Sequence, residues 1–155
     1  MSDTTRHELR DLDAMEEFGT RIADRLQAGD VIALRGGLGA GKTALARAII
    51  TALGHRGDVP SPTFTIMETY DAPPLRLPIV HADFYRLEDP AELIELGLED
   101  YRDGSALLAE WPDRAGNFDG EPACLSITIE NAPAGPDAGR IAIAAPGEDW
   151  LGRWP

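Results

Sequence analysis

At 155 residues, with 43% hydrophobic and 26% charged side chains, the chain has the make-up of one soluble globular domain with a real core. Its net charge of −13, from 27 acidic against 14 basic side chains, excludes strong direct binding of RNA or DNA, which needs clustered Lys and Arg. The opening MSDTTRHELRD has no apolar stretch of signal-peptide length, and no window approaches about 18 uncharged apolar residues. Neither a leader nor a membrane span is expected, and a cytoplasmic location follows.

In chain order, His7 to Arg10 reads as a short strand. Residues 13 to 27 read as a helix, with Leu12, Met15, Phe18, Ile22 and Leu26 at three- and four-residue intervals and Gly29 just beyond. The apolar run Val31-Ile32-Ala33-Leu34 then leads into GGLGAGKTAL, residues 36 to 45. Gly36 to Thr43 fits G-x-x-x-x-G-K-S/T, and a strand before it with a helix after it is the context that motif requires.

The chemistry of that loop follows from its residue types. Gly36, Gly37, Gly39 and Gly41 allow backbone conformations closed to residues with a Cβ, so successive N–H groups can face phosphate oxygens. The helix starting near Lys42 directs its positive dipole end to the same place. A phosphate cradle is thus expected from Gly37, Leu38, Gly39, Ala40 and Gly41 through Lys42, Thr43 and Ala44. Lys42 would reach the β- and γ-phosphates, and the Thr43 hydroxyl would be a ligand of Mg²⁺. Nucleotide binding is the expectation.

Beyond the loop, Leu45, Ile49 and Leu53 form one helical face and Gly54 is a natural stop. TFTIMETY (63 to 70) alternates like a strand, DAPPLRLP (71 to 78) breaks it, and IVHADFY (79 to 85) reads as another strand. Asp89, Pro90 and Glu92 open a short helix as N-cap, first-turn proline and capping-box acid, and Gly97 ends it. SALLAEW (105 to 111), CLSITIE (124 to 130) and RIAIA (140 to 144) supply three more strands, with NAPAGPDAG (131 to 139) as a hairpin loop. The lone Cys124 can form no internal disulfide and reads as a small buried residue. The pattern is α/β: a P-loop NTPase-like three-layer sandwich with a mixed central sheet and antiparallel C-terminal strands.

A phosphate site that does chemistry also needs an acid for Mg²⁺, normally at the end of a neighbouring buried strand. Asp83 ends PIVHAD, where His81 and Ala82 make a poor apolar run, and Glu110 ends the cleaner ALLAE. Pattern does not decide between them.

The ordered series GGLGAGKT (36 to 43), SPTF (61 to 64), HADFYRL (81 to 87), ELGLEDY (95 to 101) and EWPDR (110 to 114) resembles the TsaE family (formerly YjeE), small ATPases of bacterial tRNA threonylcarbamoyladenosine synthesis. The resemblance implies that Asp83 is the Walker-B-like acid and Glu110 a second acid near the metal and its waters. It places Thr63 on a switch-like loop near the γ-phosphate, and Trp111 on the nucleotide pocket. It also implies ATP and Mg²⁺ as cofactors, and the proteins TsaD and TsaB as partners. His81 reads as a hydrogen-bonded structural residue, and Tyr85 and Arg86 carry no assigned role.

Other P-loop functions fit less well. A small-metabolite kinase needs a lid bearing arginines. After FYRL only Arg102, Arg114, Arg140 and Arg153 follow, unclustered. A GTPase would need N-K-x-D, and the nearest look-alike, Asn117-Phe118-Asp119-Gly120, lacks the lysine.

Overall fold

The strand expected before the glycine loop is the centre of a seven-stranded sheet. The computed structural model describes residues 3–62, 65–116 and 118–154. Their elements are β1 (Thr5–Leu9), α1 (Leu12–Arg25), β2 (Val31–Arg35), α2 (Lys42–Ala52), β3 (Met67–Tyr70), β4 (Ile79–Asp83), α3 (Glu92–Leu96), α4 (Leu98–Arg102), β5 (Ala106–Glu110), β6 (Cys124–Asn131) and β7 (Arg140–Pro146). Single 3₁₀ turns cover Pro112–Ala115, Pro136–Ala138 and Glu148–Trp150. The sheet order is β1-β7-β6-β2-β5-β4-β3. Strands β6, β2, β5 and β4 run parallel, while β7, β1 and β3 are antiparallel to their neighbours. The sheet is therefore mixed, with an antiparallel β6–β7 hairpin near the end of the chain.

Strand periodicity builds the three layers. Parallel strands covered on both faces need apolar residues at nearly every position, and β2 and β5 supply them. Ile32, Leu34, Ile79, Leu108, Leu125 and Ile127 share one core with Met15, Phe18 and Ile22 of α1 and Leu45 and Ile49 of α2. Their alternates Val31, Ala33, Val80, Ala82, Leu107 and Ala109 share a second core with Phe84, Leu93, Leu98 and Phe118. Cys124 lies in that second core, where burial pushes its thiol up to about 12.

Helix α1 starts one residue before the expected boundary. Asp11 caps it by accepting from the Ala14 N–H at 2.9 Å, and the expected core residue Leu12 is instead 71% exposed in the first turn. Mid-helix Gly19 lies where α1 crosses α2. A Cβ built there would meet Ala48 Cβ at 2.5 Å and Ala48 C at 3.1 Å. Gly19→Ala, which on an exposed helix gains about 1 kcal/mol in propensity, is expected to lose about 1–3 kcal/mol here through overpacking. Denaturant unfolding measures it, and a variant more stable than the wild type would refute the close crossing.

Other boundaries differ from expectation as well. Of the 63–70 strand, only Met67–Tyr70 is strand; Thr65 and Ile66 are not, and Thr63 and Phe64 lie outside the described residues. Strand β4 stops at Asp83, whose Oδ1 accepts from the Tyr85 N–H at 3.0 Å and turns the chain. Gly97, at φ 73°, ends α3 but immediately starts α4, a helix the sequence pattern does not announce. Asp89 caps the turn before α3, its Oδ1 accepting from the Ala91 N–H at 2.9 Å.

Candidate functional site

Alternation along β4 and β5 puts His81, Asp83 and Glu110 on the face of the sheet that carries α2. Asp83 and Glu110 are paired residues at the ends of these two strands. Glu110 also pairs with Leu34 of β2, the strand that runs into the glycine loop. The first turn of α2 therefore sits over the end of β5. There the Thr43 hydroxyl donates to Glu110 Oε1 at 2.8 Å. The two acids that sequence pattern ranked against each other are neighbours in one site.

The loop takes the form its glycines permit. Gly36, Gly39 and Gly41 have φ of 140°, 75° and 114°, whereas Gly37 is not in the left-handed region. Gly36 is needed for space as well, since a Cβ there would lie 2.5 Å from the Ile129 carbonyl oxygen. Leu38 is 77% exposed at the loop tip, Ala40 is buried, and Ala44 packs on the core under α2. Leu38, Ala40 and Ala44 can offer a phosphate only their backbone groups.

Lys42 is only 5% exposed and arches back over its own loop, donating from Nζ to the Gly36 and Gly37 carbonyls at 2.7 Å each. The ammonium also lies 4.3 Å from the centre of the Trp111 ring. Burial lowers its pKa from the ordinary lysine value, and the carboxylates of Glu110 and Asp83 oppose that shift. Trp111 itself has φ 55°, a left-handed conformation uncommon outside glycine, which turns the chain out of β5 beside the loop. Its ring lies 5.0 Å from that of Tyr85, over which the Arg114 guanidinium stands at 5.1 Å.

Lys42, Thr43, Asp83, Glu110 and Trp111 thus converge. Thr63, predicted on the switch-like loop, lies outside the described residues. That loop's exit is nevertheless joined to the site. The Asp83 N–H donates to the Ile66 carbonyl at 2.8 Å, and Ile66 has φ 68°, an outlier for a β-branched residue.

One contributor escaped sequence reading. Arg140 of β7 donates to the loop carbonyls of Ala40 at 3.0 Å and Gly39 at 3.4 Å. Its place 100 residues downstream gives no local signal. His81, read as a hydrogen-bonded structural residue, is one, and its partner through Nε2 is Glu110 Oε2 at 2.7 Å, which sequence offered no means to name.

The donor set suits Mg²⁺: one hydroxyl and two carboxylates, all hard oxygens. Among the described residues no three His, Cys, Asp or Glu side chains form a metal cage. Mg²⁺ characteristically takes one or two carboxylates and fills its octahedron with water and phosphate oxygens, so the set present fits it.

A central parallel strand, a glycine loop, a helix over the loop, and acids at the ends of the next two parallel strands define the P-loop NTPase-like class of α/β proteins. Within that class the chain belongs to the TsaE family, whose model, threonylcarbamoyl adenosine biosynthesis protein TsaE, matches residues 9–138. It is 44% identical over 102 residues to the tRNA threonylcarbamoyladenosine biosynthesis protein TsaE of Streptomyces coelicolor, covering 63% of this chain and 66% of that protein. The Haemophilus influenzae protein of the same name is 39% identical over 107 residues, 65% of this chain and 66% of its own length. The chain thus spans just under two thirds of these relatives. The crystal structure of YdiB from Bacillus subtilis superposes with a TM-score of 0.78 at 28% identity, covering 99% of this chain and 93% of that one. Among the described residues no helix is long and apolar enough to cross a membrane.

Proposed function

We propose that the chain is an Mg²⁺-dependent ATPase that binds and hydrolyses ATP to support the TsaB–TsaD complex in threonylcarbamoyladenosine modification of tRNA. The observation that carries the reading is the Thr43–Glu110 hydrogen bond of 2.8 Å, with Asp83 paired beside Glu110 and buried Lys42 one residue before Thr43. Lys42 and the loop amides would hold the β- and γ-phosphates, and Thr43, Asp83 and Glu110 would hold the metal directly or through its waters. Bound Mg²⁺ supplies neutralisation of the triphosphate charge. Trp111, already against Lys42, would close one side of the nucleotide pocket, and Thr63 would approach from the loop anchored at Ile66. The names of the relatives supply the tRNA pathway.

The arginines support an ATPase over a small-metabolite kinase. Arg102 is engaged by Glu99 and Glu121, Arg153 by Asp30, and Arg140 by loop carbonyls. None of these forms a lid of the kind that closes over a transferred phosphate.

Lys42→Ala tests the site. It removes the cation that would meet the phosphates, and ATP binding is expected to weaken by a few kcal/mol, on the order of what a lost charge-assisted contact costs. Calorimetric titration reads the change. A folded variant with wild-type ATP affinity would overturn the assignment.

A further inference from the structure

His81 lies two residues before Asp83 on β4, on the same face and 0% exposed. Its Nε2 is 2.7 Å from Glu110 Oε2, while its Nδ1 is buried without a hydrogen-bond partner among the described residues. Together these observations locate the ring proton. With the proton on Nδ1 alone, two lone pairs would face each other across 2.7 Å. A proton on Nε2 avoids this and makes the ring the donor.

The sheet register explains the reach. His81 pairs with Leu108, so Glu110 is its diagonal neighbour across the β4–β5 ladder. Glu110 is itself only 2% exposed, and its other oxygen accepts from Thr43 at 2.8 Å. The carboxylate is thus held from two sides by donors on different elements.

We infer that His81 is a positioning residue for Glu110, donating Nε2–H to Oε2 so that Oε1 faces Thr43 and the Mg²⁺ ligand set. The chemistry Glu110 serves rests on the ATPase reading, but the hydrogen bond and its direction do not. With Oε2 committed to His81, Glu110 presents one oxygen toward Thr43 and cannot swing to chelate through both. Partners that orient a metal ligand in this way typically contribute about 10–100-fold to affinity or activity.

Two measurements test the inference. In the nucleotide-free protein labelled with ¹⁵N-histidine, the His81 ring, identified by the resonances lost in His81→Gln, should show a protonated Nε2. An unprotonated Nε2 overturns the proposal whether or not the protein hydrolyses ATP. Second, His81→Leu keeps the bulk and loses the donor, whereas His81→Gln keeps a donor at the Nε2 position. His81→Leu should lower kcat about 10–100-fold and weaken ATP binding in Mg²⁺ while leaving affinity in EDTA unchanged, with most of the loss recovered in His81→Gln. Unchanged kcat in His81→Leu, equal losses in both variants, or an equal fall in metal-free ATP affinity overturns the positioning role. Should His81→Leu fail to fold, the nitrogen shifts decide alone. Absence of hydrolysis by the wild-type protein would count against the ATPase reading and leave that spectroscopic result standing.

Discussion

Asp83→Asn is expected to lower ATP turnover about 10²–10³-fold even at saturating ATP, the scale on which a preorganised electrostatic group contributes to a transition state. Asp83 sits beside Glu110 at the strand ends, and its Oδ1 already accepts from the Tyr85 N–H. The asparagine can keep that turn by presenting its carbonyl oxygen, so the fold should survive while the charge offered to Mg²⁺ is lost. Glu110→Gln is a different case. Glu110 accepts from Thr43 on Oε1 and lies against His81 through Oε2, whereas an amide offers one accepting oxygen and one donating nitrogen. One of these two contacts must break or reverse, so turnover should fall and thermal stability should fall with it. More ATP binding should remain than in Lys42→Ala if the Glu110 contact runs through a metal-bound water. Steady-state hydrolysis with calorimetry and thermal unfolding separates the two variants, and removal of Mg²⁺ with EDTA should stop hydrolysis in the wild type. Wild-type rates in both variants would remove the metal site from the reading.

The reach of sequence into this site depended on how local each signal was. The glycine loop was legible because eight consecutive residues carry the whole pattern, and the structure puts three of its four glycines at positive φ. Strand β4 read as weak because hydropathy scores His81 as polar; in the fold every residue of β4 is buried, and the ring is accommodated by Glu110, 29 residues away. The choice between Asp83 and Glu110 was unanswerable for the same reason, since only strand register shows that they are neighbours. Helix α4 has five residues, too few for a period to emerge. The C-terminal tryptophans are likewise tertiary: Trp150 donates to the Ala123 carbonyl at 2.8 Å and Trp154 to Thr5 Oγ1 at 3.1 Å, seats that no nearby residue specifies. Leu12 shows the opposite failure, fitting the helical period at a position where the first turn is still in solvent.

The isolated protein is expected to hydrolyse ATP slowly, and the TsaB–TsaD pair to accelerate it by up to about 10³–10⁵-fold, the range a supplied cation at the γ-phosphate contributes in P-loop enzymes. Lys42 is the cation built into the loop, and Arg140 donates to the loop carbonyls of Ala40 and Gly39, bracing its outer side. Ile66, strained at positive φ, is tied to the Asp83 backbone, so a partner that binds next to it would act directly on the acid strand. The net charge of −13 favours a basic docking surface on that partner, and the acceleration should weaken as salt rises. Hydrolysis measured alone, with tRNA alone, and with the TsaB–TsaD pair distinguishes the possibilities. tRNA alone should have no effect, because 14 basic side chains among 27 acidic ones give phosphates little to hold. Rapid turnover by the lone protein, or transfer of phosphate from ATP to a small metabolite, would instead favour a kinase.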